Sequence, residues 1–132
     1  MPITIDRVDH IVLNCRDVET TVAWYQRVLG MAREEFGDYR HTALKFGRQK
    51  LNVRPTGKTE WESVKNDAPG ALDICFITPQ PPDEVVAHLK ACDVKIEHGP
   101  SQRTGALGPM TSVYCYDPDG NLVEIASYLS GS

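Results

Sequence analysis

An excess of basic residues is missing: 14 Lys and Arg stand against 18 Asp and Glu in 132 residues, a net charge of −4. Nucleic acid and anionic membrane surfaces both need a basic footprint, so neither is expected as the main partner. CxxC spacing is missing too. Cys15, Cys75, Cys92 and Cys115 are scattered through apolar segments, which argues against a zinc cluster or disulfide framework and for buried, reduced thiols. The opening stretch MPITIDRVDH has no apolar signal core, and no run is long enough to span a membrane. A cytoplasmic protein is the expectation. Pro2 would become an N-terminal amine able to act as a base if Met1 were removed, but a proline near a chain start is usually no more than that. What is present is 41% hydrophobic and 24% charged residues, enough apolar material for one compact unit or two small modules sharing a sheet.

The chain reads as the same pattern twice. VDHIVLNC is apolar and β-branched enough for a strand. In RDVETTVAWYQRVLG, Asp17 suits a helix N-cap, Val18, Val22, Tyr25 and Leu29 share a helix face, and Gly30 stops it. MAREEF, HTALKFG and QKLNVR are short strand candidates, so this half is βαβββ. Residues 55–70, punctuated by Pro55, Gly57, Pro69 and Gly70, read as a linker. ALDICFIT is then a strand and PPDEVVAHLKACD a helix with Val85, Val86, Leu89 and Cys92 inward. VKIE, MTSVYCY and NLVEIASY complete a second βαβββ. The fold class is therefore α+β, with module 1–54, linker 55–70 and module 71–132 in a single domain.

Overlaying the halves aligns His10 with Asp73 at a shift of 63 and Asn52 with Glu124 at a shift of 72. The nine extra residues are assigned to a loop at 98–109, HGPSQRTGALGP. Each half thus puts a polar residue at matching points of its first and last strand. A single histidine in a strand is more often a hydrogen-bonded core or edge residue, and a single acid usually marks a solvated face. The matched register favours the other interpretation. If His10, Asn52, Asp73 and Glu124 converge, an imidazole, an amide oxygen and two carboxylates are competent ligands for one divalent cation. Without an ion the carboxylates would repel, and one would tend to hold a proton.

VDHIVLNCRDVETTVAWYQRVLGM and YDPDGNLVEIASY resemble the signatures of the vicinal oxygen chelate superfamily, which holds glyoxalase I, extradiol dioxygenases, and fosfomycin- and bleomycin-resistance proteins. With HLKACDVKIEHGPSQRTGALGPMTSVYCYDPDGN, the chain resembles the branch named glyoxalase domain-containing protein 5, whose bacterial members carry the label virulence protein. The resemblance implies paired βαβββ modules forming a cupped mixed sheet around a metal, with ligands on the first and last strand of each module. His10 and Glu124 match that pattern. Asn52 stands where glyoxalase I has a glutamate, and Asp73 where a second histidine is usual. These departures disfavour an iron dioxygenase, which expects two histidines and one carboxylate; His98 is a candidate substitute from the long loop, where a histidine is more often merely exposed. The oxygen-rich set suits Mn²⁺ or Mg²⁺, with Ni²⁺, Co²⁺ and Zn²⁺ open and loss of the metal an alternative.

The chemistry so implied is that of a metal-dependent lyase or isomerase of the glyoxalase type, acting on a small oxygenated substrate that is 2-oxo or enolisable. Glu124 and Asp73 are the catalytic candidates. Arg54, on the Asn52 strand face, is a candidate for an anionic substrate group or a strand-end arginine in solvent. Tyr114 and Tyr116 share a strand face with Ser112 and line a pocket or pack in the core. Arg103 and Thr104 lie in the Gly-rich segment, read as a lid over substrate or a plain surface loop. Trp24 and Tyr25 are assigned to packing. A homodimer is expected, with the site within one chain or between two. The alternative function is a metal-free binding or sequestering protein of the bleomycin-resistance type, its groove lined by Trp61, Tyr114 and Tyr116.

Overall fold

In a computed structural model, which describes residues 2–129, the chain divides into two compact units at Ala68/Pro69. Unit 1 runs β1 (His10–Cys15), α1 (Val18–Leu29), β2 (Ala32–Phe36), β3 (His41–Phe46) and β4 (Gln49–Pro55). Unit 2 runs β5 (Asp73–Ile77), α2 (Pro82–Ala91), β6 (His98–Gly105), β7 (Gly108–Tyr116) and β8 (Leu122–Ser127). Their sheets have the same order, β1-β4-β3-β2 and β5-β8-β7-β6. In each, the first strand lies parallel to the last because a helix carries the chain between edges, while the remaining pairs are antiparallel. No helix of the described residues is long and apolar enough to cross a membrane.

The Asp17 side chain caps α1 by accepting from the Glu19 amide at 3.3 Å, and Gly30 ends it at φ 66°, where a side chain would be strained. The buried stripe of α1 is Thr21, Val22, Tyr25 and Val28, turned toward Val28 from the expected Val18–Leu29 line. It packs on the sheet face that carries Leu13, Cys15, Leu44, Leu51 and Val53. Unit 2 repeats the scheme with Val85 and Leu89 of α2 over Val113, Cys115, Val123 and Ile125. Since strand side chains alternate, each sheet has a second face, and on it stand Lys50, Asn52 and Arg54 in unit 1 and Leu122 and Glu124 in unit 2.

Two expectations are corrected here. VKIE is not a strand: residues 94–97 are irregular, and the sixth strand begins at His98. The segment 98–109 is not a loop. Ser101, Gln102, Arg103 and Thr104 pair with Ser112, Thr111, Met110 and Pro109, closed by Ala106 and Leu107 between Gly105 and Gly108. A two-residue turn flanked by glycines makes a hairpin of what looks in sequence like Gly-rich loop.

Candidate functional site

The second faces of the two sheets carry the candidate ligands. Residues of β1 pair 40 positions ahead, with His10 opposite Lys50 and Val12 opposite Asn52. Residues of β5 pair 49 positions ahead, with Asp73 opposite Leu122 and Cys75 opposite Glu124. His10 and Asn52 therefore hold the same topological places in unit 1 that Asp73 and Glu124 hold in unit 2.

In unit 1, His10 Nδ1 lies 2.9 Å from Asp9 Oδ1, and that bond is the main reason the Asp9 carboxyl sits below its ordinary value. In the tautomer that donates Nδ1–H to Asp9, Nε2 would present a lone pair, the arrangement seen behind metal-bound imidazoles. The adjacent letters Asp-His carried this signal, and sequence reasoning missed it. Asn52 is 6% exposed, and its Oδ1 is buried without a hydrogen-bond partner. A buried amide oxygen in that state costs stability unless something else engages it.

Arg54 differs from the expectation of substrate contact. It is 5% exposed and donates from Nε to the Trp61 carbonyl (2.8 Å), from Nη1 to Asn14 Oδ1 (2.8 Å) and Asp67 Oδ2 (2.7 Å), and from Nη2 to the Lys58 carbonyl (2.8 Å). The guanidinium is occupied in binding residues 58–67 to β4. Trp61, held by this clamp, stacks on His41 with centroids 3.9 Å apart, and Phe36 meets the Trp61 ring edge-on at 6.3 Å. His41 and Phe36 lie on the Asn52 face of the sheet.

In unit 2 the turn before Glu124 is tied by its own side chains. Asp117 Oδ1 accepts from the amides of Asp119 and Asn121 at 2.9 Å, and Oδ2 from Asn121 Nδ2 at 2.7 Å. Asn121 Oδ1 in turn accepts from the Leu72 amide at 2.9 Å. The DPDGN stretch thus fixes the starts of β5 and β8, and through them the register of Asp73 and Glu124. Glu124 has Cys75 on one side and Tyr114 on the other. The Cys75 thiol is pushed up to about 11, first by partial burial and then by the charges of Glu124 and Asp73. Burial is also the largest cause raising the Tyr114 hydroxyl; Arg103 opposes it and Glu124 adds to it.

Arg103, Tyr114 and Tyr116 line one open cavity of about 520 Å³, with Glu97, His98 and Leu122 completing its lining. Glu97 was missed because it seemed to end a strand. Thr104 is exposed and paired with Pro109 in the hairpin ladder, not in a loose lid. Among the described residues no three His, Cys, Asp or Glu side chains form a group that could hold a metal ion. Each unit instead offers two donors. The orphaned Asn52 oxygen, the Asp9-backed imidazole and the two carboxylates fit a divalent cation in type.

Residues 7–125 match the family model described as the Glyoxalase/Bleomycin resistance protein/Dioxygenase superfamily. The chain belongs to this superfamily. It is 42% identical over 125 residues to virulence protein STM3117 of Salmonella typhimurium, covering 95% of this chain and 86% of that one. A glyoxalase domain-containing protein, RDO1 of Mycosarcoma maydis, is 38% identical over 96% of this chain and 70% of its own. The integron cassette protein VCH_CASS1 of V. cholerae superposes with a TM-score of 0.94 at 40% identity, covering 98% of this chain and all of that one. More distant superfamily structures share the fold alone. They include a lactoylglutathione lyase from Agrobacterium tumefaciens (TM-score 0.70, 23% identity, 94% of this chain and 95% of that one) and a fosfomycin resistance protein from Listeria monocytogenes complexed with Mn(II) (0.63, 21%, 98% and 93%).

Proposed function

We propose that this superfamily member is a metal-dependent lyase or isomerase of the glyoxalase type, acting on a small substrate with neighbouring oxygens, 2-oxo or enolisable. The observation that carries this is Asn52: a buried amide oxygen with no partner, at the register position that Glu124 holds in unit 2. His10, Asn52, Asp73 and Glu124 would hold one divalent ion, Mn²⁺, Ni²⁺, Co²⁺, Zn²⁺ or Mg²⁺, as two half-sets drawn from one chain or from two chains of a cytoplasmic homodimer. Such an ion supplies Lewis acidity to a bound carbonyl oxygen. The protein supplies the proton handling. Glu124 takes a proton from the substrate carbon and returns it at a neighbouring atom. Asp73, the second catalytic carboxylate, balances charge beside it. Tyr114 orients the Glu124 carboxylate across the β7–β8 pair, and Arg103 and Tyr116 hold the substrate in the cavity.

Elemental analysis of the untagged protein tests this. About one equivalent of metal per site, lost in both His10→Ala and Glu124→Ala, is the expected result. A wild type still metal-free after incubation with Mn²⁺, Ni²⁺ and Zn²⁺ overturns it. The ring cluster of Phe36, His41 and Trp61 on the Asn52 face would then favour the second reading, a metal-free binding protein of the bleomycin-resistance type.

A further inference from the structure

Arg103 differs from the other arginines whose partners define their role. Arg33 forks onto Glu19 with two bonds of 2.7 Å, Arg40 faces Glu35, and Arg54 pairs with Asp67. Arg103, by contrast, is held by uncharged groups. Its Nε donates to the Tyr114 hydroxyl at 3.0 Å and its Nη1 to the Gln102 carbonyl at 2.8 Å, with the guanidinium carbon 5.4 Å from the Tyr114 ring centre. Among the described residues its Nη2 has no hydrogen-bond partner. Glu97 lines the same cavity, but its carboxylate lies 3.7 Å from Lys95 Nζ. Among the described residues no carboxylate pairs directly with this guanidinium, and Glu124 reaches it only through the Tyr114 hydroxyl; it is oriented yet open to an incoming anion, with the ordering cost already met and a fork that matches an oxyanion. Tyr114, which holds it, is directly opposite Glu124. The rings of Tyr114 and Tyr116 and the Leu122 side chain form the apolar walls of the cavity.

From this arrangement we infer that the substrate carries an oxyanion, a carboxylate or a phosphonate or phosphate, on a short apolar stem, and that Arg103 binds it while Glu124 faces the reacting oxygens. This deepens the proposed function and rests on it only for the second half. Arg103 sets specificity for charge, and the Tyr114 phenol spans from that anchor to the carboxylate.

Calorimetric titration of phenylphosphonate, benzoate and neutral dimethyl phenylphosphonate tests the inference. The protein is wild type, Arg103→Gln and Arg103→Lys, as purified and after chelator treatment. Wild type binds an anion, more weakly as NaCl rises. Arg103→Gln loses about tenfold or more in affinity, as expected for a charged hydrogen bond, together with its salt dependence. Arg103→Lys falls in between, since it keeps a point charge and loses the fork, and the neutral ester is indifferent to both changes. Preference for benzoate or for phenylphosphonate identifies the oxyanion. No anion binding by wild type, unchanged affinity in Arg103→Gln, or an equal loss for the neutral ester overturns the inference. The chelated arm separates the two ideas: a metal-free wild type that still binds the anion sinks only the metal reading, and a metalloprotein indifferent to Arg103 sinks only this one.

Discussion

Units 1 and 2 have the same strand order and equivalent first-to-last registers, yet they treat the polar residues on the second sheet face in opposite ways. Unit 1 buries or bonds most of them. Arg54 is bonded to the chain segment 58–67 and Trp61 and His41 stack, while a neutral amide oxygen on buried Asn52 has no partner and His10 stays exposed at the start of its strand. Unit 2 leaves them charged and open, with Asp73 exposed, Glu124 half-buried, and Arg103 and two phenols around a cavity. A repeated topology supplies equivalent positions, but the side chains placed there decide which copy is buried and bonded and which stays charged and open. Burial raises the cost of a charge, which suits the neutral Asn52 amide to the buried position and the Glu124 carboxylate to the more open one.

The sharpest way to break this comparison is to remove the charge from the open copy. Glu124→Gln is expected to weaken Mn²⁺ binding by roughly a hundredfold or more, since even outer partners of ligands are worth ten- to a hundredfold. Circular dichroism should stay that of wild type, and titration with Mn²⁺ gives the number. Next in size are paired core truncations. Leu51→Ala and Leu89→Ala should each cost about 2–5 kcal/mol, and hydrogen exchange should place the loss in unit 1 for the first and in unit 2 for the second. Asn52→Leu sharpens the contrast in the other direction. Replacing a buried amide whose oxygen has no partner by an apolar side chain of similar size should stabilise the protein by about 1 kcal/mol in urea melts while reducing Mn²⁺ affinity. A loss of stability would show that the amide has a partner.

The smallest effect concerns pH. The Arg54 guanidinium, and after it the Gly57 amide, hold the Asp67 carboxyl below its ordinary value of 3.8. A depressed carboxyl contributes stability that is fully present above that value and is lost as pH falls through the lower, folded one. In a Trp24→Phe background, the Asp67-dependent part of the Trp61 fluorescence change, read as the difference between the parent and Asp67→Asn, should therefore appear only below pH 3.8.

Much of this division was legible in the sequence, because local rules governed it. The helices followed from Asp17, Gly30 and Pro82, and the matched register of His10 with Asp73 and of Asn52 with Glu124 from the first and last strand of each half. Segment 98–109 was not legible, since its glycines serve a two-residue hairpin turn and its polar Ser, Gln, Arg and Thr gain strand structure only by pairing with β7. Arg54 was assigned to substrate because its strand face was readable, whereas its partners Asp67 and the carbonyls of Lys58 and Trp61 depend on how the linker folds back. The Val18–Leu29 line was displaced because Thr21 and Val28 are buried by tertiary contact that helical spacing alone does not specify.

The central place of β4 and β8 sets a timetable for synthesis. Each sheet's opening strand is made first, but its neighbour in the sheet is made last, so a nascent unit cannot seat that strand until the closing one has left the ribosome. Unit 1 reaches this point at Pro55, while unit 2 waits for Ser127. A chain interrupted before Leu122 would hold a finished first unit and a second whose β5 and β7 both lack their shared neighbour.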